Sequence, residues 1–226
     1  MNAKRTDISK VRSKAIMLLN LPMIGSGSFY VNHPFFQLLF ELIDDKYYNL
    51  TDREDLQEVV RLKTECINHS NAEEIFQMIR MPYRLMFLDL VWKYLNPKLF
   101  SKILENTWIM TENPSAYKGV SLDSIKEMFL HADKKQLMSA KEFKKYQNLP
   151  SKVILYRGVQ SKSNPNGFSW TPDIKTAKWF AERYEEDNGY ILKVEMPKER
   201  IFACFDSRNE SEIVCDPRRL KKLRVC

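Results

Sequence analysis

Two glutamates, Glu210 and Glu212, lie one residue apart in the segment NESEIVCDP, directly before the apolar run at 213–215. Because side chains on a strand alternate between its two faces, the sequence predicts that both carboxylates point to one side and that Ser211 points away. Like charges on one face repel each other, and a carboxylate is costly to bury. A carboxylate pair at the start of a buried strand therefore indicates a chemical role, although glutamates at a strand edge also commonly serve to discourage edge pairing.

Two further polar elements interrupt apolar strand segments. Arg157 ends the segment VILYRG, and Ser169 and Thr171 flank Trp170 in GFSWT. Taken alone, a strand arginine is usually an ion-pair partner, and a Ser-x-Thr before a helix is usually a cap. The order and spacing of the three elements are more specific than any one of them.

An Arg-Gly on a first strand, a Ser-x-Thr on a second and a Glu-x-Glu at a later one resemble the Arg-Ser-Glu group of ADP-ribosyltransferases. The matching segments are LYRG, FSWT and NESE, within about residues 140–226, and the helical segment TAKWFAERY after the serine motif also fits that family. Trp170 departs from the family's commoner Ser-Thr-Ser. The resemblance implies an arginine-modifying mono-ADP-ribosyltransferase of the bacterial-toxin or phage type, which uses NAD as its substrate.

The resemblance also implies roles for the residues around NAD. Glu212 would stabilise the oxocarbenium-like transition state and hold the ribose 2′-hydroxyl. Arg157 would bind the pyrophosphate or a nearby ribose with its fork of donors, and the backbone of Gly158 would pair with the nicotinamide amide. Ser169 would donate a hydrogen bond to Glu212 and hold its rotamer.

In the same family, the first glutamate of the pair faces the acceptor. Glu210 would hydrogen-bond the guanidinium of a protein arginine and help to remove its proton during attack. The loop at 205–212 would then recognise the target, with Phe205 or Arg208 against the substrate, although Arg208 equally suits an ion pair with Glu210.

Trp170 and Thr171 complete the predicted cofactor-binding residues. The aromatic candidates for stacking on nicotinamide are Trp170, Trp179, Phe180 and Tyr184. Trp179 and Phe180 occur within a helical pattern, which favours a place in the core over a place against the cofactor.

The periodicity of the chain predicts an α+β fold. We expect a helical N-terminal region at 1–138 and an ADP-ribosyltransferase core at 139–226, which would be a mixed, mostly antiparallel split β-sandwich. The periodicity of apolar residues changes after Pro150, where short β-rich runs replace helical patterns. The resemblance and the strand pattern together predict this architecture, while no motif identifies the helical region.

Apolar spacing, a capping box and two prolines predict where helices lie in the N-terminal region. The segment HPFFQLLFELIDDKYY has apolar residues at helical spacing, and Thr51 and Glu54 have the spacing of a capping box. Pro82 predicts a kink or break in a long helical segment, and Pro97 predicts the first turn of another helix.

Composition narrows the class of protein. The 226 residues carry a net charge of +7 with a pI of about 9.1. The four cysteines and three histidines show no metal-binding spacing, and no apolar run is long enough to span a membrane. A reduced, cytoplasmic protein without a metal is the expectation.

The positive charge leaves a nucleic-acid partner open as an alternative to a solvated basic surface. The alternatives to a protein arginine transferase are therefore an NAD hydrolase, a nucleic-acid ADP-ribosyltransferase, and a non-catalytic binding module in which the motif residues are structural.

Overall fold

A computed structural model of the chain describes residues 5–25, 29–111, 119–160, 164–183, 189–206 and 210–225. The fold is mixed α+β, with small antiparallel sheets. The chain divides into two compact units, Met1–Asn96 and Pro97–Cys226. The predicted boundary at 138/139 falls inside the second unit, because helices before that position pack with the strands after it.

The first unit combines four α-helices with two short antiparallel hairpins among its described residues. Its elements in chain order are α1 Ile8–Leu19, β1 Ile24–Gly25, β2 Val31–Asn32, β3 Phe40–Ile43, β4 Lys46–Asn49, α2 Arg53–His69, α3 Ala72–Met78 and α4 Met81–Val91. Helix α1 buries one apolar face, formed by Val11, Ala15, Leu18 and Leu19, against the other helices of this unit. The break predicted at Pro82 is confirmed, since α3 ends at Met78 and Pro82 lies in the first turn of α4.

The helix predicted for HPFFQLLFELIDDKYY is wrong, because this segment contains the hairpin β3–β4. Asp44 and Asp45 form its two-residue turn, with φ of 49° and 62°. Left-handed backbone at both turn positions is the geometry that matches the twist of a tight hairpin, and aspartate tolerates it better than most residues.

The capping box predicted from Thr51 and Glu54 is wrong. The N-cap of α2 is Asp52, whose side chain accepts hydrogen bonds from the amides of Glu54 and Asp55.

The second unit holds helices and two three-stranded antiparallel sheets. Its elements are α5 Pro97–Met110, α6 Leu122–His131, α7 Lys134–Leu137, α8 Ala140–Gln147, β5 Lys152–Val159, β6 Ser169–Trp170, α9 Ile174–Glu182, β7 Tyr190–Pro197, β8 Ile201–Phe205, β9 Glu212–Cys215 and β10 Leu223–Val225. The strand orders are β10-β7-β5 and β6-β9-β8. The start of α5 at Pro97 and the strand at 152–159 are confirmed.

Aromatic side chains join the helices of this unit to the second sheet. Phe129 on α6 stacks on Phe202 of β8 at 5.9 Å between ring centroids, and Phe168, which precedes β6, packs on Phe202 at 5.7 Å. All three side chains are buried. The residues at 97–147 therefore share a core with the strands that carry the Arg, Ser and Glu motifs.

Candidate functional site

Strand pairing brings the three motifs together. In the second sheet Ser169 pairs with Val214 and Trp170 with Ile213. A backbone bridge joins this sheet to the first one, since the amide of Tyr156 donates to the carbonyl of Thr171 at 2.7 Å and the amide of Thr171 donates back at 2.9 Å. The β6 segment therefore pairs with β9, which lies 45 residues later in sequence, and bridges to β5.

The pairing register also sorts side chains by face. Residues directly opposite each other in an antiparallel pair share a face. Ser169 therefore shares a face with Val214, and with Glu212 two residues earlier on the same strand. Trp170 belongs to the opposite face. The register supports the predicted proximity of Ser169 and Glu212, while the hydrogen bond from the Ser169 hydroxyl to Glu212 stays a prediction.

Arg157 is a buried guanidinium that connects the two sheets. Its side chain is 8% exposed, and Nη1 donates to the main-chain carbonyl of Ser169 at 2.6 Å, while Nη2 donates to the carbonyl of Asn164 at 3.3 Å. The Nε–H has no hydrogen-bond partner among the residues that the structure describes. Burial lowers the pKa of Arg157 to about 10, and the nearby charge of Glu212 opposes this shift. The group is therefore still a cation at neutral pH.

Glu212 is half-buried at the first position of β9. Its Oε1 accepts a hydrogen bond of 3.0 Å from the indole Nε1 of Trp108, which lies on α5. Sequence reasoning missed Trp108, because its position in an apolar helical stripe indicates only a core residue. A buried indole N–H needs an acceptor, but the sequence does not show which one it finds.

The predicted strand alternation across Glu210 and Glu212 is wrong, because the strand begins only at Glu212. Ser211 between them has a φ of 47°, which is left-handed backbone and not strand. The backbone at Glu210 is nevertheless held, since the Thr171 hydroxyl donates to the Glu210 carbonyl at 3.0 Å. The same hydroxyl accepts from the amide of Asp173 at 3.1 Å, so one threonine links the Glu-x-Glu segment to the N-terminus of α9.

The other end of the predicted target-recognition loop is anchored to α8. Glu142 is 6% exposed, and its Oε1 accepts from the amide of Asp206 at 2.6 Å. The other oxygen, Oε2, accepts from the amide and the hydroxyl of Ser139 at 2.9 and 2.6 Å. The Asp206 carboxylate in turn pairs with Lys145 at 2.9 Å. These contacts define where the loop leaves β8.

Gly158 is required by the packing of α9 on β5. A Cβ at this position would lie 2.2 Å from the carbonyl oxygen of Ala177 and 2.5 Å from the amide nitrogen of Ala181. Any side chain would therefore clash with helix backbone. The close approach of a helix therefore explains glycine at this position, and the contact with nicotinamide stays a prediction.

The aromatic candidates divide between core and surface. Trp170 is 2% exposed and donates its indole N–H to the carbonyl of Gly167 at 2.8 Å, which is the environment of a core side chain. The expectation that Trp179 lies in the core is wrong, because its side chain is 57% exposed, whereas Phe180 is half-buried. Phe205 is buried at 2% exposure, which leaves it unavailable to a protein substrate. The predictions for Tyr184 and Arg208 lie outside the described residues.

Two buried thiols lie near the motif residues. Burial raises the pKa of Cys204 to about 12 and that of Cys215 well above its usual value. Neither is a thiolate near neutral pH, so neither is a candidate nucleophile. Within the described part of the chain, no group of His, Cys, Asp and Glu side chains is arranged to hold a metal ion.

No helix of the described residues is long and apolar enough to cross a membrane. Comparisons of the chain with known protein families, with curated proteins and with solved structures found no match.

Proposed function

We propose that the chain is a mono-ADP-ribosyltransferase that transfers ADP-ribose from NAD to an arginine of a protein and releases nicotinamide. One observation carries the proposal. Arg157, Ser169 and Glu212 come from three separate segments, and β5, β6 and β9 bring them to one place. This is the set of residues that the resemblance assigned to NAD.

Burial and charge of Arg157 suit the binding of an anionic ligand. A buried cation is costly unless it is paired, and a buried N–H without an acceptor costs about 1–3 kcal/mol. The Nε–H of Arg157 has no such acceptor among the described residues. An oxygen of the NAD pyrophosphate or of the adjacent ribose would satisfy it.

The backbone of Gly158 suits the nicotinamide amide. In an antiparallel ladder, the amide and carbonyl of alternate residues point to the same edge of the strand. Tyr156 directs these groups towards Thr171, so Gly158 two residues later directs its own groups to the same edge. A primary amide could pair with both groups of Gly158 there.

The proposed reaction breaks one bond and forms another at the same carbon. The bond from ribose C1′ to the nicotinamide nitrogen breaks, and its electron pair stays on nicotinamide, which leaves as a neutral molecule. The ionised Glu212 stabilises the positive charge that develops on the ribose. A guanidine nitrogen of the acceptor then bonds to C1′, and its proton passes to Glu210.

The arrangement of the two sheets supports a split β-sandwich as the core architecture. Sheets β10-β7-β5 and β6-β9-β8 meet through the Tyr156–Thr171 bridge, and Arg157 spans them.

The described cysteines Cys66, Cys204 and Cys215 are unpaired, which agrees with our expectation that the protein acts in the cytoplasm of the producing or targeted cell.

A second candidate function is transfer to a nucleic acid. The charges of residues 1–96 cancel, so the whole net charge of +7 lies in the unit at 97–226 that carries the motifs. Phosphate backbones attract such a surface, with an affinity that falls steeply as salt increases. NAD is also an anion, which is why the charge supports the first candidate as well.

The proposed function is tested by incubating the full chain with NAD and a protein acceptor, and with NAD and duplex or single-stranded DNA. Released nicotinamide is measured by chromatography, and acceptor mass by mass spectrometry. We expect the mass of one ADP-ribosyl group on the protein. Glu195→Gln is the matched control for Glu212→Gln, since it makes the same charge change on an exposed part of β7. Nicotinamide release that survives in Glu212→Gln, or that is absent from wild type with every acceptor, would contradict the proposal.

A further inference from the structure

We propose that Trp108 is a positioning residue, which holds the Glu212 carboxylate in its reactive orientation. The catalytic meaning of this contact rests on the proposed function. It also assigns a role in chemistry to helix α5, in the region that the sequence predicts only to precede the catalytic core.

The contact is a hydrogen bond of 3.0 Å from the Trp108 indole Nε1 to Oε1 of Glu212. The Trp108 ring is 2% exposed, so water does not compete for this donor. Hydrogen bonds to charged groups contribute about 1.5–3 kcal/mol, roughly twice the contribution of neutral ones. The bond is therefore strong enough to select one orientation of the carboxylate.

The orientation of the indole is itself fixed by aromatic packing. Phe129 on α6 meets the Trp108 ring edge-on, with 4.9 Å between centroids and an interplanar angle of 86°. Phe129 also stacks on Phe202 of β8, and that strand pairs with β9, where Phe205 lies opposite Glu212. The donor and the acceptor are thus both held by the same core.

An indole N–H suits this task chemically. It is a donor only and carries no charge, so it can bind an ionised carboxylate without supplying a proton or an ion-pair partner. The lost bond in Trp108→Phe would leave the carboxylate less ordered and its ionised form less favoured. A buried tryptophan also needs an acceptor for structural reasons alone, and the test must separate these two roles.

The kinetic test compares Trp108→Phe with Phe129→Leu in the full chain. Trp108→Phe removes the N–H and keeps an aromatic ring, whereas Phe129→Leu disturbs the packing and keeps the N–H. We expect kcat for nicotinamide release to fall about tenfold to hundredfold in Trp108→Phe, with KM for NAD changed less than threefold. The acid limb of its pH–rate profile should move to higher pH. Phe129→Leu should lower the melting temperature and move the acid limb less than Trp108→Phe does, because the indole N–H is still present.

A spectroscopic test does not depend on activity. The chain has four tryptophans, and the indole N–H signal of Trp108 in a ¹H–¹⁵N spectrum is the one that disappears in Trp108→Phe. We expect this signal to shift in Glu212→Gln and to follow pH through the ionisation of Glu212, and we expect neither change in Glu195→Gln.

The outcomes separate the inference from the proposed function. The positioning role would be overturned if the Trp108 signal does not shift in Glu212→Gln. It would also be overturned if Trp108→Phe keeps the wild-type kcat and acid limb, even in a protein that cleaves NAD. Equal shifts of the acid limb in Trp108→Phe and Phe129→Leu would assign the effect to packing and overturn it as well. A responsive signal in a protein that releases no nicotinamide would support the fixed carboxylate and overturn the proposed reaction.

Discussion

Arg157 donates a hydrogen bond of 2.6 Å from Nη1 to the main-chain carbonyl of Ser169, so the two motif residues are joined through the backbone and not through the serine hydroxyl. The arginine thus has a structural task at the junction of the two sheets, and its Nε–H, which has no hydrogen-bond partner among the described residues, is left for a ligand. A substitution at this position should affect both the fold and the affinity for NAD.

Arg157→Lys should weaken NAD binding at least about tenfold, because a single ammonium cannot reproduce a fork of donors. Calorimetric titration with NAD measures this change. Arg200→Lys is the matched control, since Arg200 also donates to main-chain carbonyls, at Asp216 and Arg218. Both variants should lose stability, but only Arg157→Lys should lose affinity. Unchanged affinity in Arg157→Lys and Arg157→Ala would show that Arg157 is structural only.

Gly158→Ala should destabilise the protein by about 1–3 kcal/mol or more, because the added methyl group would meet the backbone of α9. Gly189→Ala should act in the same direction, since its Cβ would clash with the Ala181 carbonyl. Gly25→Ala is the control, because no described atom lies within 4 Å of the methyl group that alanine would add there. Urea denaturation measures all three. Wild-type stability in Gly158→Ala would show that α9 does not pack this closely on β5.

Glu142→Gln should reduce both stability and transfer. The carboxylate accepts from the amides of Ser139 and Asp206, and a carboxamide would present a donor to one of them. The expected cost is about 1–3 kcal/mol. Since Asp206 leads into the Glu-x-Glu segment, the rate of transfer to protein should fall more than tenfold at a temperature where the variant is fully folded. Glu127→Gln, on the exposed side of α6, is the control; an equal loss in both variants would rule out a specific anchor.

The stability of the first unit should depend on pH through His33. Its Nδ1 accepts from the amides of Phe35 and Phe36, so Nε2 carries the proton and donates to the Leu21 carbonyl. Burial lowers the pKa of His33 from 6.5 to about 4. The unfolded chain therefore binds a proton first as pH falls, and stability present above pH 6.5 is lost between pH 6.5 and about 4, by up to about 3 kcal/mol.

Denaturation at pH 7 and at pH 4.5 measures this effect. His33→Gln should flatten the loss of stability over that interval, while His69→Gln, at an exposed position on α2, should keep the wild-type dependence. The same pH dependence in wild type and in His33→Gln would assign the effect to other groups.

Local patterns in the sequence were sufficient for most of the second unit. Strand β5 at 152–159 and the start of α5 at Pro97 follow from apolar runs and from proline at a first turn. The hairpin at 40–49 did not follow, because its apolar residues also fit a helical period and the turn depends on left-handed Asp44 and Asp45. Periodicity alone does not distinguish these two structures.

The strands that carry the motif residues could be predicted from the sequence, but the side-chain contacts around the candidate site could not. Motif order indicated that Arg157, Ser169 and Glu212 belong together, and strand pairing agrees with that interpretation. The donor from Trp108 could not be predicted, since it comes from a helix 104 residues away in sequence and depends on tertiary packing. The left-handed backbone at Ser211 could not be predicted either, because serine, unlike glycine, asparagine or aspartate, does not favour that conformation.

Substitutions of Glu210 and Glu212 should have different effects when NAD hydrolysis and protein modification are measured in parallel. Every route begins with breaking the nicotinamide bond, so Glu212→Gln should lower both activities about 10²–10³-fold. Glu210 is assigned to the acceptor, so Glu210→Gln should lose transfer to arginine and keep slow hydrolysis of NAD.

The most direct test of the proposed reaction is therefore nicotinamide release without acceptor, and mass gain of the acceptor, in wild type, Glu210→Gln and Glu212→Gln under identical conditions. We predict that both readings fall together in Glu212→Gln and that only the mass gain falls in Glu210→Gln. Wild-type nicotinamide release by Glu212→Gln would contradict the account.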